Sequence, residues 1–207
     1  IQMHKQVQET IAKEKLNIII NDLQNEELMN EVPQFLTRAD SQGQIFRMLL
    51  EDLKTSIKED KLFLLYQPQM DDTGKCLGAE ALLRWIHPLY GFIYPPLIIY
   101  LAKEAKILPK LEERIFDMVA EAIKKTRDNY DGDFKISVNI TAKSLTWDIE
   151  SCMEACIEKY QIPVDKMWIE MTEQDMLSNT DAVIQKLEHL KQVGHTLLID
   201  DFGMGHT

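Results

Sequence analysis

Two adjacent carboxylates, Asp200 and Asp201, follow the strand-like run of residues 196–199. Adjacent residues on a strand point to opposite faces, so both acids can serve one site only if the strand ends there and the backbone turns. Residues 202–205 contain two glycines and supply such a turn. A carboxylate pair in this position has the geometry of a metal site.

Three upstream segments end in the same way, with an oxygen ligand after a short apolar or β-branched run: Glu80, Asn139 and Glu170. Taken singly, each of these residues could instead cap a helix or bind solvent. Together with Asp200 and Asp201 they form an all-oxygen set, which suits Mg²⁺ or Mn²⁺ rather than zinc. Because gathered carboxylates repel one another unless a cation neutralises them, the set predicts one or two divalent ions.

Two divalent ions about 3.5–4 Å apart would activate a water and stabilise the oxygens of an in-line displacement. Hydrolysis of a phosphodiester is the reaction that best suits this arrangement. The convergence of the ligands on one centre is itself a prediction at this point, because it depends on how the strands are arranged.

The elements that must position these residues alternate along the chain. Strands at 62–69 and 76–85, joined by the turn 71–75, predict an antiparallel hairpin. Helices are expected near 45–57, at 95–105 and from 111 onward. Strand 136–140, helix 149–160, strand 167–171, helix 181–193 and strand 196–201 follow, with Gly194 as a helix stop.

The spacing of the ligands favours one architecture. From Asn139 to Glu170 is 170 − 139 = 31 residues, and from Glu170 to Asp200 is 200 − 170 = 30, about one βαβ unit each. Ligands at successive strand ends predict an α/β, TIM-like (β/α) barrel with an antiparallel first strand, truncated after about five strands. A doubly wound sheet, whose site lies at a switch point between two strands, is the alternative.

Bulk properties narrow the function classes. The 207 residues carry 23 Lys and Arg against 34 Asp and Glu, a net charge of −11, which argues against binding DNA or RNA polymers or anionic membranes. The apolar runs are shorter than a membrane span, and no signal peptide opens the chain. We expect a cytoplasmic domain, whose parent protein could be membrane-anchored upstream.

The composition changes near residue 60. Residues 1–60 are rich in Lys, Glu, Gln and Asn and predict a helical lead-in or linker from an upstream module, whereas 61–207 form the alternating α/β part. An ordinary packing helix is the alternative. The pattern favours the linker at residues 45–60 and ordinary packing at residues 1–35. Both ends suggest a fragment, since position 1 is Ile and position 207 falls in a glycine-rich turn.

Five motifs in order resemble the EAL family of bacterial cyclic di-GMP phosphodiesterases over about residues 62–207. Residues 80–85, Glu-Ala-Leu-Leu-Arg-Trp, resemble the signature motif of this family. Tyr-Gln-Pro at 66–68, Ser-Val-Asn at 137–139, Glu-Met-Thr-Glu at 170–173 and Asp-Asp-Phe-Gly at 200–203 resemble the other motifs of the family.

The resemblance implies a barrel that hydrolyses cyclic di-GMP to linear pGpG with Mg²⁺ or Mn²⁺, in second-messenger signalling. It implies a homodimer and an upstream sensory or diguanylate-cyclase-like module. Glu173 resembles the acid that holds a mobile loop linked to metal binding and dimerisation. The implied ligands of one metal are Glu80, Asn139, Glu170 and Asp200, with Asp201 serving the second metal and with Gln67 and Arg84 contacting substrate.

The family's later strands, including a catalytic lysine, lie beyond residue 207, so we expect the parent protein rather than this piece to be active. Five strands cannot close an eight-stranded barrel and would leave unpaired edges. Two alternatives stay open: a catalytically inactive EAL domain that binds cyclic di-GMP or a protein, and a different divalent-metal barrel acting on another substrate.

Overall fold

The elements of the chain are those of a mixed α/β fold. The computed structural model describes residues 14, 39, 41–129, 133–173, 175 and 181–200. In chain order the principal elements are α1 Ser41–Lys58, β1 Leu62–Met70, β2 Cys76–His87, β3 Gly91–Phe92, α2 Pro95–Glu104, α3 Leu108–Asn129, β4 Lys135–Asn139, α4 Ile149–Tyr160, β5 Met167–Thr172, α5 Asp181–Val193 and β6 Leu197–Asp200, with short 3₁₀ segments at Ala142–Thr146 and Val164–Lys166.

The chain divides into two compact units. The first comprises the part up to Phe63 together with Leu83–Leu111, and the second comprises Leu64–Leu82 together with the part from Glu112 onward. None of the helices within the described ranges is both long and apolar enough to cross a membrane.

In the first unit, α1 packs against α2. Phe46, Leu49 and Leu53 recur at helical spacing on α1 and are completely or almost completely buried. The Phe46 ring meets Tyr100 of α2 edge to face, with ring centroids 6.4 Å apart. The helix predicted near 45–57 is confirmed, and α1 has a packed apolar face.

A buried histidine joins the end of β2 to α1 within this unit. His87 Nδ1 accepts the backbone N–H groups of Leu89 and Tyr90 at 3.1 and 3.2 Å, so the proton of the neutral ring belongs on Nε2. His87 Nε2 lies 2.9 Å from Oδ2 of Asp52 and donates to it. The pair stabilises the turn after β2 against the helix.

The central sheet has the strand order β1-β2-β4-β5-β6, and the short β3 pairs with β2. β2, β4, β5 and β6 pair in parallel. β1 and β2 are neighbours joined by residues 71–75, a link too short for a parallel crossover, which confirms the predicted antiparallel hairpin. Asp71 Oδ1 closes this turn by accepting the N–H groups of Thr73 and Lys75, both at 2.9 Å.

Gly78 sets the approach of β2 to β4. A Cβ atom at this position would lie 2.2 Å from the carbonyl oxygen of Lys135, so only glycine allows the two backbones to pair there. The register that follows places Glu80 opposite Ser137. Gly78, which has no side chain, therefore aligns two strands that carry candidate ligands.

Helix ends follow local rules. Asp148 caps α4 by accepting the N–H of Ser151 at 3.3 Å. α5 ends before Gly194, which has φ of 113°, and the N–H of His195 then bonds to the carbonyl of Leu190 at 3.0 Å. The predicted helix stop at Gly194 is confirmed.

Candidate metal centre

The register of the parallel strands brings the predicted ligands to one face. Paired residues on neighbouring strands point the same way, and so do residues two apart on one strand. Glu80 pairs with Ser137, Asn139 with Glu170, and Thr172 with Asp200. The side chains of one continuous face of four strands are therefore Glu80, Ser137, Asn139, Glu170, Thr172 and Asp200. The prediction that Glu80 ends its strand was wrong, because β2 continues to His87, where it pairs with β3.

Asn139 and Glu80 are in direct contact. The Asn139 side-chain nitrogen donates to Oε1 of Glu80 at 2.6 Å, which holds the carboxylate over the β2–β4 pair. This bond uses the nitrogen of the amide, so the amide oxygen of Asn139 is left to accept another partner. The structure thus brings two of the predicted ligands together.

Glu170 is the most informative side chain of the site. It is only 8% exposed, and its Oε2 is buried without a hydrogen-bond partner among the residues that the structure describes. Burial raises the pKa of Glu170 above its ordinary value, a hydrogen bond from Ser137 lowers it, and the charges of Glu80 and Asp200 raise it. Within the described part of the chain, no positive charge acts on this carboxylate to offset the two negative ones.

The carboxylates of Glu80, Glu170 and Asp200 are near enough to influence one another electrostatically but are farther apart than the ligands of one ion. In the described ranges, no three His, Cys, Asp or Glu side chains are grouped closely enough to hold a metal ion. The amide of Asn139 is not of these residue types, and Asp201 lies outside the described residues together with 202–207.

The residues present suit a divalent cation. Mg²⁺ and Mn²⁺ prefer hard oxygen ligands. The site offers the buried Oε2 of Glu170, to which no described residue donates, together with two further carboxylates and the amide oxygen of Asn139. Asp200 is the last residue of β6 and is half-buried, as is Glu173, which directly follows β5.

The two predicted substrate residues lie on the hairpin strands. Gln67 is an exposed residue of β1. Arg84 belongs to the part of β2 in the first unit, where its Nη1 donates to the carbonyl of Leu83 at 2.8 Å and its guanidinium carbon lies 5.8 Å from the centre of the Phe92 ring. The substrate contacts of both residues stay predictions.

Two polar residues of this face, Ser137 and Thr172, were not predicted as part of the site. Ser137 is 1% exposed on β4, and the side-chain nitrogen of Gln69 on β1 approaches its Oγ at 3.5 Å. The signal was present in the sequence, because Ser137 is a polar residue between Ile136 and Val138 and stands two positions before Asn139. A period of two places it on the ligand face.

Residues 50–207 match the EAL domain family, which is well over half of the chain. The chain therefore belongs to the EAL domain family, and the resemblance carried by the five motifs is confirmed. The match begins inside α1, and the domain boundary between residues 60 and 61 stays a prediction.

Curated relatives are longer proteins. The bifunctional diguanylate cyclase/cyclic di-GMP phosphodiesterase MucR of Pseudomonas aeruginosa is 30% identical over 172 residues, which are 82% of this chain and 25% of MucR. The probable cyclic di-GMP phosphodiesterase PdeN of Escherichia coli is 31% identical over 163 residues, which are 75% of this chain and 30% of PdeN. The chain spans about a quarter to a third of the length of these two relatives.

Solved structures share the fold. The PaMucR phosphodiesterase in complex with c-di-GMP has a TM-score of 0.71 and 29% identity over 77% of this chain and 66% of that one. The FimX EAL domain of Pseudomonas aeruginosa bound to c-di-GMP has a TM-score of 0.65 at 18% identity, over 74% and 62% of the two chains. The prediction of a TIM-like α/β fold is confirmed, and the doubly wound alternative was wrong.

Proposed function

We propose that this chain carries the metal site of a phosphodiesterase that hydrolyses cyclic di-GMP to linear pGpG. The observation that carries the proposal is the buried Oε2 of Glu170, which has no hydrogen-bond partner among the described residues and lies beside the charges of Glu80 and Asp200. A divalent cation would supply the missing counter-charge. The names of the relatives MucR and PdeN support the substrate.

Glu80, Asn139, Glu170 and Asp200 would hold one Mg²⁺ or Mn²⁺, and Asp201 would serve a second ion. Their placement on one sheet face supports this assignment, since side chains from neighbouring strands can then reach the same ion. When bound, the ions supply a Lewis acid that activates water and stabilises charge on the phosphodiester oxygens. Asn139 holds Glu80 in a fixed orientation through its amide nitrogen, as a residue bonded to a ligand does in other metal sites.

Gln67 and Arg84 would contact the substrate, because the planar guanidinium of Arg84 can bind a phosphate through two parallel hydrogen bonds. The cation–π contact with Phe92 supports this role by presenting the guanidinium in one orientation. Glu173 would hold the segment that follows Asp201. These roles extend the proposal from the metal to the substrate.

We further propose a bacterial cytoplasmic homodimer that is controlled by an upstream sensory or diguanylate-cyclase-like module. The name of MucR, which joins a diguanylate cyclase to a phosphodiesterase, supports the upstream module. The net charge of −11 supports a small-molecule substrate rather than a DNA or RNA polymer.

The test is hydrolysis of cyclic di-GMP by the full-length protein with Mn²⁺, followed as formation of pGpG. Replacing Glu80→Ala removes a proposed ligand and is expected to lower turnover at least about 100-fold. Glu188→Ala removes the same charge from an exposed position on α5 and is the matched control, expected to keep wild-type turnover.

If the wild type binds cyclic di-GMP but forms no pGpG, the proposed enzyme function is wrong and the protein is a binding module. Unchanged turnover and Mn²⁺ affinity in Glu80→Ala would defeat the ligand assignment. Turnover of a different phosphate ester in place of cyclic di-GMP would favour the other divalent-metal barrel.

A further inference from the structure

The connections that follow β4 and β5 are joined by one carboxylate. Asp175 Oδ1 accepts the backbone N–H of Ala142 at 3.0 Å, thirty-three positions away in sequence. Ala142 begins the 3₁₀ segment three residues after Asn139, and Asp175 stands five residues after Glu170. A single bond therefore ties together the two chain segments that leave the candidate metal centre from neighbouring strands.

The other oxygen of the same carboxylate holds the end of β5. Thr172 Oγ1 donates to Oδ2 of Asp175 at 3.0 Å and accepts the Asp175 N–H at 3.1 Å. Thr172 is two residues after Glu170 on the ligand face and pairs with Asp200 of β6. Asp175 thus contacts the last residue of β5 and the connection that follows β4. Thr172 in turn pairs with the last residue of β6.

The 3₁₀ segment that contains Ala142 is also hydrogen-bonded to α3. Buried Glu112 of α3 accepts hydrogen bonds from the hydroxyl of Ser144 and, at 2.7 Å, from Nε1 of Trp147. The Ser144 hydroxyl also accepts the N–H of Thr141 at 2.9 Å. The 3₁₀ segment is therefore a fixed body against which Asp175 can hold the β5 end.

We infer that Asp175 is a positioning residue for the metal centre, holding the strand end that carries Glu170 in register with the strand end that carries Asn139. The inference rests on the proposed function. Asp175 would act through Thr172 and Ala142 and would not itself contact metal or substrate. Partners that orient the ligands of a metal site are worth about 10–100-fold in metal affinity or activity when they are removed.

The first measurement is the dissociation constant of Mn²⁺, read from the electron paramagnetic resonance of free Mn²⁺ in the full-length protein without substrate. Asp175→Ala is expected to raise it about tenfold. Asp175→Asn keeps an oxygen that can accept the Ala142 N–H and is expected to raise it less. Thr172→Val should raise the Mn²⁺ dissociation constant by part of that amount. The double variant should bind Mn²⁺ no more weakly than Asp175→Ala alone, because both substitutions remove the bond between Thr172 and Asp175.

Asp148→Ala is the matched control. Asp148 accepts one backbone N–H at the start of α4, in the same unit, as Asp175 does at Ala142. Its loss is expected to lower the melting temperature in EDTA and to leave the Mn²⁺ dissociation constant unchanged. This separates weakened folding from a displaced ligand.

Equal Mn²⁺ affinity in wild type and Asp175→Ala would overturn the inference while leaving the proposed function intact. The positioning role also fails if Asp148→Ala weakens Mn²⁺ binding as much as Asp175→Ala does. A wild-type protein that binds no Mn²⁺ would overturn the proposed function, and the inference with it.

Discussion

At the residue scale, the site depends on one carboxylate that the fold buries. Glu170 occupies a strand whose other residues are largely apolar, and its buried oxygen has no donor among the described residues. A buried charge without a partner destabilises a fold, so a fold that retains one is expected to meet its counter-charge in a ligand. Residue type alone could not reveal this, because many glutamates end strands in contact with solvent.

Replacing Glu170→Gln is expected to stabilise the metal-free protein at pH 7 by about 1 kcal/mol, because it removes a buried charge. Folding raises the pKa of Glu170 above its ordinary value of 4.5. The destabilisation caused by its charge is therefore absent well below pH 4.5 and appears as the pH rises through the folded-state pKa. Urea unfolding in EDTA at pH 7 and pH 4 measures the difference between variant and wild type, which should shrink at the lower pH. A variant less stable than wild type at pH 7 would contradict the electrostatic account.

At the element scale, turns and glycines determine where each strand places its last residue. The helices predicted at 149–160 and 181–193 agree with α4 and α5, whereas strands 136–140 and 167–171 differ from the structure by one residue at one or both ends. Helix ends are encoded locally, by Asp148 and by Gly194. Strand ends depend on hydrogen bonds to a neighbour that is distant in sequence, and the local pattern does not contain them.

Gly194→Ala is expected to destabilise the protein by about 1–3 kcal/mol. Gly194 has φ of 113°, and an added Cβ would lie 3.0 Å from Cγ1 of Val164. Gly74→Ala is the matched control, because Gly74 also has a positive φ, 82°, but an added Cβ would meet nothing within 4 Å. Chemical denaturation compares the two, and an equal loss in both would show that the contact with Val164 is harmless.

At the scale of the whole molecule, stability and function are expected to be linked through the metal. A ligand that binds only the folded state stabilises it by an amount set by its concentration relative to its dissociation constant. Membership of the EAL family and the set of oxygen ligands on one face both point to a divalent ion as that ligand.

Mn²⁺ at one hundred times its dissociation constant is therefore expected to raise the free energy of unfolding by about 2.7 kcal/mol, and EDTA should reverse the gain. Differential scanning fluorimetry followed by denaturant titration measures it. Na⁺ at equal ionic strength controls for general screening of the net charge of −11. A melting temperature that Mn²⁺ leaves unchanged would argue against a site that is coupled to folding.

Sequence alone predicts the α/β alternation, the antiparallel hairpin and the candidate ligands Glu80, Asn139, Glu170 and Asp200, because apolar runs and turn residues are local signals. The folded structure was needed to show that these residues share one face, that Asn139 bonds Glu80, and that Asp175 ties together two connections. Those facts depend on the register between strands about thirty residues or more apart, which arises from backbone pairing and close approach at positions such as Gly78.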